Sequence, residues 1–191
     1  MHHLEYHPKS PQILQIAKAK YPYLTQEWLS DESIEVRYYL LEYLSTAYGY
    51  HAPLEKDKEG KPIELRMKNR EWRIVLFWSL SHSENYLAFI VSDTPTGIDI
   101  AEVIERDPTL FSTHSKREYA LLGGKNWKDF YLLWTAKEAI IKSIWGELDD
   151  MREIQLIDSP GENRSEFALG SKKYRIQSII DDPCIVSYLV S

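Results

Sequence analysis

A single cysteine in 191 residues, Cys184, excludes an internal disulfide and a cysteine-built zinc site. It sits in the apolar run C-I-V-S-Y-L-V, where burial as a small inert hydrophobe is expected. Basic residues are also short: 23 Lys and Arg against 29 Asp and Glu give a net charge of −6. Nucleic acid is therefore not the expected partner, because a phosphate backbone is gripped by a basic face. No apolar run approaches the roughly 18 residues of a membrane span, and M-H-H-L-E-Y-H-P does not open like a signal peptide. No membrane partner is expected, and the cytoplasm is the expected compartment. There is no low-complexity segment, and no sequence repeat strong enough to prove duplication. What the chain does have is 43% hydrophobic and 13% aromatic residues, enough for a real core in one domain or in two small halves sharing one.

In chain order, residues 1 to 30 show only a short helix near Ile13 to Lys20. Ser30, Asp31 and Glu32 read as a helix start, and Ile34, Tyr38, Leu41, Leu44 and Tyr48 mark an amphipathic helix ending at Gly49. Residues 53 to 62 are charged and turn-like. Ile74 to Leu80 and Tyr86 to Ser92 are rich in β-branched and aromatic residues and predict two strands, joined by a polar turn, S-H-S-E-N. A loop, Asp93 to Thr96, leads to a third strand from Gly97 to Val103. A helix is expected over Ser115 to Leu122, stopped by Gly123-Gly124. After Gly146 the pattern predicts strands at Glu153 to Ile157, Glu166 to Leu169, Tyr174 to Ile180 and Ile185 to Val190, with S-P-G-E-N and D-D-P as turns. Helices and small antiparallel sheets in this order point to an α+β fold.

The strongest pattern is a helix from Trp127 to Trp145, with Asn126 as its cap and Gly146 as its stop. Leu133, Trp134, Ile140, Ile141, Ile144 and Trp145 recur at helical steps, and Lys137, Glu138 and Lys142 are set among them. Glu138 and Lys142 stand one turn apart on one face, which alone is the commonest exposed helical ion pair. Three further polar islands precede it: E-G-K-P (Glu59 to Pro62), S-L-S-H-S (Ser79 to Ser83) and T-G-I-D-I-A-E-V (Thr96 to Val103). Each lies beside an apolar element, and together they suggest one assembled site.

With G-K-P, S-H-S, G-I-D-I and W-T-A-K-E-A-I-I-K in that order, the chain resembles the phosphopantetheinyl transferase superfamily over about Ser30 to Val190. The larger, monomeric class that activates synthetases of the surfactin kind is the nearer likeness. The resemblance implies two similar α+β halves, here a shortened residues 1–94 and residues 95–191, together one structural domain with coenzyme A in the cleft between them. It implies an Mg²⁺-dependent enzyme. The hydroxyl of a serine on an apo acyl or peptidyl carrier protein attacks the β-phosphate of coenzyme A, releasing adenosine 3′,5′-bisphosphate. By the same resemblance Asp99 and Glu138 match the metal-binding acids, with Glu102 as a further candidate ligand. Lys142 matches the phosphate-binding lysine, and Asp99, Glu138 and Lys142 form the expected catalytic set. Lys61, Ser81 and His82 match contacts to the coenzyme A phosphates, with Lys137 a weaker match and Arg37 the one candidate for the 3′-phosphate. The serine proton is assigned to Glu138 or to a metal-bound water.

Two positions differ from the family pattern. Ala101 stands where the larger class has a second acid, and G-I-D-I-A-E-V is similar to the smaller class, the holo-acyl-carrier-protein synthases. Glu84 follows S-H-S where a small residue is usual. Since carrier proteins are acidic, a local basic patch is required, and Lys116, Arg117, Lys125 and Lys128 are expected to provide it. Two other readings stay open: a homologue that binds coenzyme A or a carrier without turnover, and an unrelated α+β interaction domain.

Overall fold

In the computed structural model, residues 2–25, 29–58, 60–68, 73–161 and 163–190 are described. Glu59 of the E-G-K-P island and Glu162 of the S-P-G-E-N turn lie outside them. Contacts divide the chain into two compact units, Met1–Thr94 and Pro95–Ser191.

The first unit opens with strand β1 (His2–Pro8), followed by helix α1 (Pro11–Lys20) and helix α2 (Asp31–Tyr48). Ser10 caps α1, with Pro11 in its first turn, where a missing N–H costs nothing. Ser30 Oγ accepts from the Ser33 N–H at 3.2 Å to cap α2, and Gly49 ends it in the left-handed conformation, φ 65°. Strands β2 (Leu65–Lys68), β3 (Arg73–His82) and β4 (Tyr86–Ser92) complete an antiparallel sheet in the order β1-β4-β3-β2. Val36, Leu40 and Leu44 of α2 pack on Leu76, Trp78, Leu87, Phe89 and Val91, while Ile34 and Leu41 pack with Ala17 of α1.

Strand β1 is not visible in the hydrophobic pattern, and its chemistry explains why. Its face toward α2 is polar: His3 stacks on Tyr43 with ring centroids 3.6 Å apart, and His7 stacks on Tyr39 at 4.0 Å. Between them Glu5 accepts from both imidazoles, at 2.7 and 2.9 Å. The inward side chains are thus aromatic rings and a satisfied carboxylate, so the usual alternation of apolar and polar residues does not mark the strand.

The second unit begins with β5 (Ile98–Glu102), then α3 (Lys116–Leu122) and α4 (Trp127–Ile144), with 3-10 turns at Pro108–Thr113 and Leu148–Arg152. Strands β6 (Gln155–Gly161), β7 (Arg164–Leu169), β8 (Lys172–Asp181) and β9 (Cys184–Val190) join β5 in an antiparallel sheet ordered β5-β9-β8-β7-β6. Helix α4 lays Leu133, Ala136, Ile140 and Ile141 against Leu156, Phe167, Ile176 and Ile185. Cys184 is buried, as expected. The architecture is α+β with two antiparallel sheets, as the pattern of elements predicts.

Helix α4 ends differently from the expectation of a Gly146 stop. Trp145 takes the left-handed position, φ 58°, and Gly146 instead meets the turn that follows. A Cβ at Gly146 would lie 2.7 Å from Asp150 Oδ2, so the glycine is used for close approach and the cap falls to its neighbour.

Candidate active site

Gly97 brings α4 and β5 together. A Cβ there would lie 1.9 Å from the Ala139 carbonyl oxygen and 2.8 Å from the Ser143 nitrogen, so the helix backbone rests directly on the start of the strand. Two residues on, Asp99 projects toward the same helix. Its Oδ1 accepts from Lys142 Nζ at 2.7 Å, with side-chain exposures of 11% and 29%: a partly buried ion pair that solvent still reaches. Glu138, one helical turn before Lys142, is half-buried. Its carboxyl is pushed above the usual range, first by burial and then by the negative charge of Asp99, while Lys142 pulls it down. Asp99, Glu138 and Lys142, which belong to two separate islands of the sequence, are therefore within electrostatic reach of one another.

Oxygen donors from two carboxylates, one of them desolvated and repelled by the other, are the chemistry a hard divalent cation accepts, with waters on its remaining positions. Asp99 and Glu138 fit Mg²⁺ in that sense. Glu102 is the further candidate ligand. Alternation along β5 places Glu102 on the opposite face from Asp99 and Ala101. Among the described residues no three His, Cys, Asp or Glu side chains gather into a metal-holding group. Ala101 packs against the core cluster under α4.

Lys137, the weaker candidate for a phosphate contact, is held in the core. It is 1% exposed, and its Nζ lies 2.7 Å from Glu118 Oε1. Glu118 accepts further from the Ser115 N–H at 2.8 Å and the Leu156 N–H at 3.1 Å. Burial pushes this carboxyl up, but the bond from Lys137 and the two backbone donors outweigh it and leave the group below its ordinary range. Lys137 is a structural cation. By tying α4 to α3 and β6 it sets the rotation of the helix, and hence the direction of Glu138 beside it. The signal for Glu118 was present as S-x-x-E at the head of α3, a capping box formed with Ser115. A second tie, Thr135 Oγ1 to Ser187 Oγ at 2.7 Å and on to Ser178 Oγ at 2.9 Å, fastens the buried face of α4 to β9 and β8.

The remaining expected residues lie in the first unit. Lys61 stands in a clamped loop: its N–H donates to Asp57 Oδ1 at 2.9 Å, and Lys56 bridges to Pro62. The Trp78 indole N–H, at 2.9 Å from the Ile63 carbonyl, anchors the loop to the sheet. Ser81 and His82 are strand residues and not part of the turn, which is confined to Ser83, Glu84 and Asn85. Being consecutive in β3 they point to opposite faces, Ser81 buried and His82 exposed. Arg37 is buried in α2, its Nη1 donating to the Ser33 carbonyl at 2.9 Å.

No curated protein sequence matches the chain significantly. Residues 95–185, the stretch that holds Gly97, Asp99, Glu138 and Lys142 on their strand and helix, match the model of the 4′-phosphopantetheinyl transferase superfamily.

Proposed function

We propose that the protein transfers the phosphopantetheine arm of coenzyme A to a serine of an apo acyl or peptidyl carrier protein. The observation that carries this reading is the Asp99–Lys142 pair beside Glu138, inside the segment that matches the transferase family. Phosphoryl transfer asks for positioning and for cations around a diphosphate, with little covalent work by the protein. The serine oxygen forms a bond to the β-phosphorus, the bond from that phosphorus to the bridging oxygen breaks, and adenosine 3′,5′-bisphosphate leaves. Glu138 or a metal-bound water is proposed to take the serine proton. Asp99 and Glu138 would hold Mg²⁺, which when bound neutralises charge on the diphosphate. Lys142 adds a positive charge one turn beyond Glu138. Lys61, in its clamped loop, and exposed His82 are proposed for the coenzyme A phosphates. Lys116, Arg117, Lys125 and Lys128, all exposed, are proposed to meet the acidic carrier. A monomer of the larger class, working in the cytoplasm, is the setting that accords with this reading.

The test is the intact mass of a panel of apo carrier proteins after incubation with the protein, coenzyme A and Mg²⁺. A gain of about 340 Da, the arm's mass from its chemical formula, that disappears with chelator and with Asp99→Asn supports the assignment. Ala101 favours the second reading, a homologue that binds without turnover. Coenzyme A binding by calorimetry, without any mass gain, would select it.

A further inference from the structure

Resting on the proposed metal and phosphate roles of this site, we infer that Lys142 is an exchangeable internal counter-ion that holds the metal carboxylate until a divalent cation displaces it. The geometry that carries this is the 2.7 Å contact from Lys142 Nζ to Asp99 Oδ1. The ammonium occupies an oxygen of the carboxylate proposed for the metal. Lys142 also lies close enough to Glu138 to favour its ionised form, so its ammonium acts on both carboxylates. With both acids ionised, this trio carries a single negative charge and repels a diphosphate. A divalent cation on the same two acids makes the trio's charge positive by one and frees the ammonium, which is partly exposed and sits on a long flexible stem. The sign of the site thus reverses as the metal enters. Coenzyme A, a polyanion, then meets an attractive field in place of a repulsive one. Metal and diphosphate binding are coupled, each favouring the other, as linkage requires.

Lys142 is set apart from Lys137 by its surroundings. Lys137 is sealed in the core against an acid that also accepts two backbone N–H groups, so nothing on that pair is exchangeable. The Lys142 pair faces solvent in part and belongs to a set with more negative than positive charge. Two lysines five residues apart on α4 therefore have opposite duties, one locking the helix and one moving on it.

The experiment is Mn²⁺ binding, read by the electron paramagnetic resonance of free Mn²⁺ without any phosphate present. Wild type, Lys142→Met and Asp99→Asn are compared. Removing the competing ammonium should tighten Mn²⁺ by about tenfold in Lys142→Met, the order expected for one desolvated charge contact. Unchanged or weaker Mn²⁺ binding in that variant overturns the inference. Mn²⁺ binding that ignores Asp99→Asn overturns the metal reading itself, so the two failures are distinguishable. A second measurement uses the natural chain alone: the rate at which an amine reagent labels Lys142, followed by peptide mass spectrometry. Labelling should rise severalfold with saturating Mg²⁺, and a rate unmoved by Mg²⁺ overturns the displacement.

Discussion

Glu138 and Lys137 are neighbours on one helix and carry opposite kinds of consequence. Glu138→Gln keeps size and loses the charge, so phosphopantetheine transfer should fall by on the order of a hundredfold while the thermal melt hardly moves. An equal loss of folding and activity would assign Glu138 to structure. Lys137→Met should act the other way. It leaves Glu118 as an uncompensated buried carboxylate, a loss of about 3–5 kcal/mol readable by urea denaturation. Adding Glu118→Leu should not restore full stability, because the Ser115 and Leu156 N–H groups would then lose their acceptor. A third residue, His114, was not singled out by its sequence context. It is 5% exposed, against Tyr119 and Phe130, and neither ring nitrogen has a hydrogen-bond partner of normal geometry. Burial, and next the positive charge of Lys137, lowers its pKa to about 4. A group protonated more readily unfolded than folded contributes stability that is complete above its unfolded pKa of about 6.5 and is lost as pH falls toward 4. About 3 kcal/mol should disappear over that window, and His114→Phe should flatten that part of the stability–pH curve. The residues of the candidate site were legible because polar side chains interrupt an apolar pattern at Asp99, Glu138 and Lys142. The division of labour between Lys137 and Lys142 was not, since it depends on Glu118, nineteen positions before one of them, folding back to close the pair.

At the scale of elements, the site depends on how tightly α4 rests on β5. Gly97 decides that spacing, and its small side chain cannot be exchanged: Gly97→Ala would set a methyl group 1.9 Å from a backbone oxygen that has no rotamer to change. The helix must move away or the strand must bend. The expected result is a loss of about 3 kcal/mol in chemical denaturation, together with weaker Mn²⁺ binding as Asp99 and Glu138 separate. A variant as stable as the natural chain, with unchanged metal affinity, would refute the contact. The long amphipathic elements α2 and α4 were readable, since a broad apolar stripe at helical period leaves little alternative. Strands β3 to β5 were readable from β-branched and aromatic runs. Strand β1 was not, because its helix-facing side consists of His3, Glu5 and His7, whose burial is made favourable by stacking and by a shared carboxylate. The polar turn S-H-S-E-N was read two residues too long for a related reason. Ser81 and His82 carry no strand signal of their own and are held in β3 by pairing with Ala88 and Leu87.

For the whole molecule the net charge of −6 sets the terms on which an acidic partner can approach. Long-range attraction is absent, so encounter must depend on local charge at short range. Lys116 and Arg117 are exposed in the first turn of α3, and Lys125 is exposed close by, its ammonium 5.2 Å from the centre of the Phe111 ring. Lys116→Glu with Arg117→Glu is a clean probe, because acids in a helix's first turn suit its dipole and should not destabilise α3. The two reversals remove two positive charges and add two negative ones, giving −10 against the natural −6, and Lys172→Glu with Arg175→Glu gives the same total on exposed positions of β8. If only net charge mattered, both pairs would raise the KM for the carrier equally. If α3 meets the carrier, the first pair should raise it about tenfold and the second by much less, while the KM for coenzyme A stays as it was. Salt separates the cases further. The Debye length falls from about 10 Å at 0.1 M to about 3 Å at 1 M, so the difference between the two pairs should shrink as salt is added. Carrier KM values measured for both pairs across that range would place the partner on α3, or remove it from there.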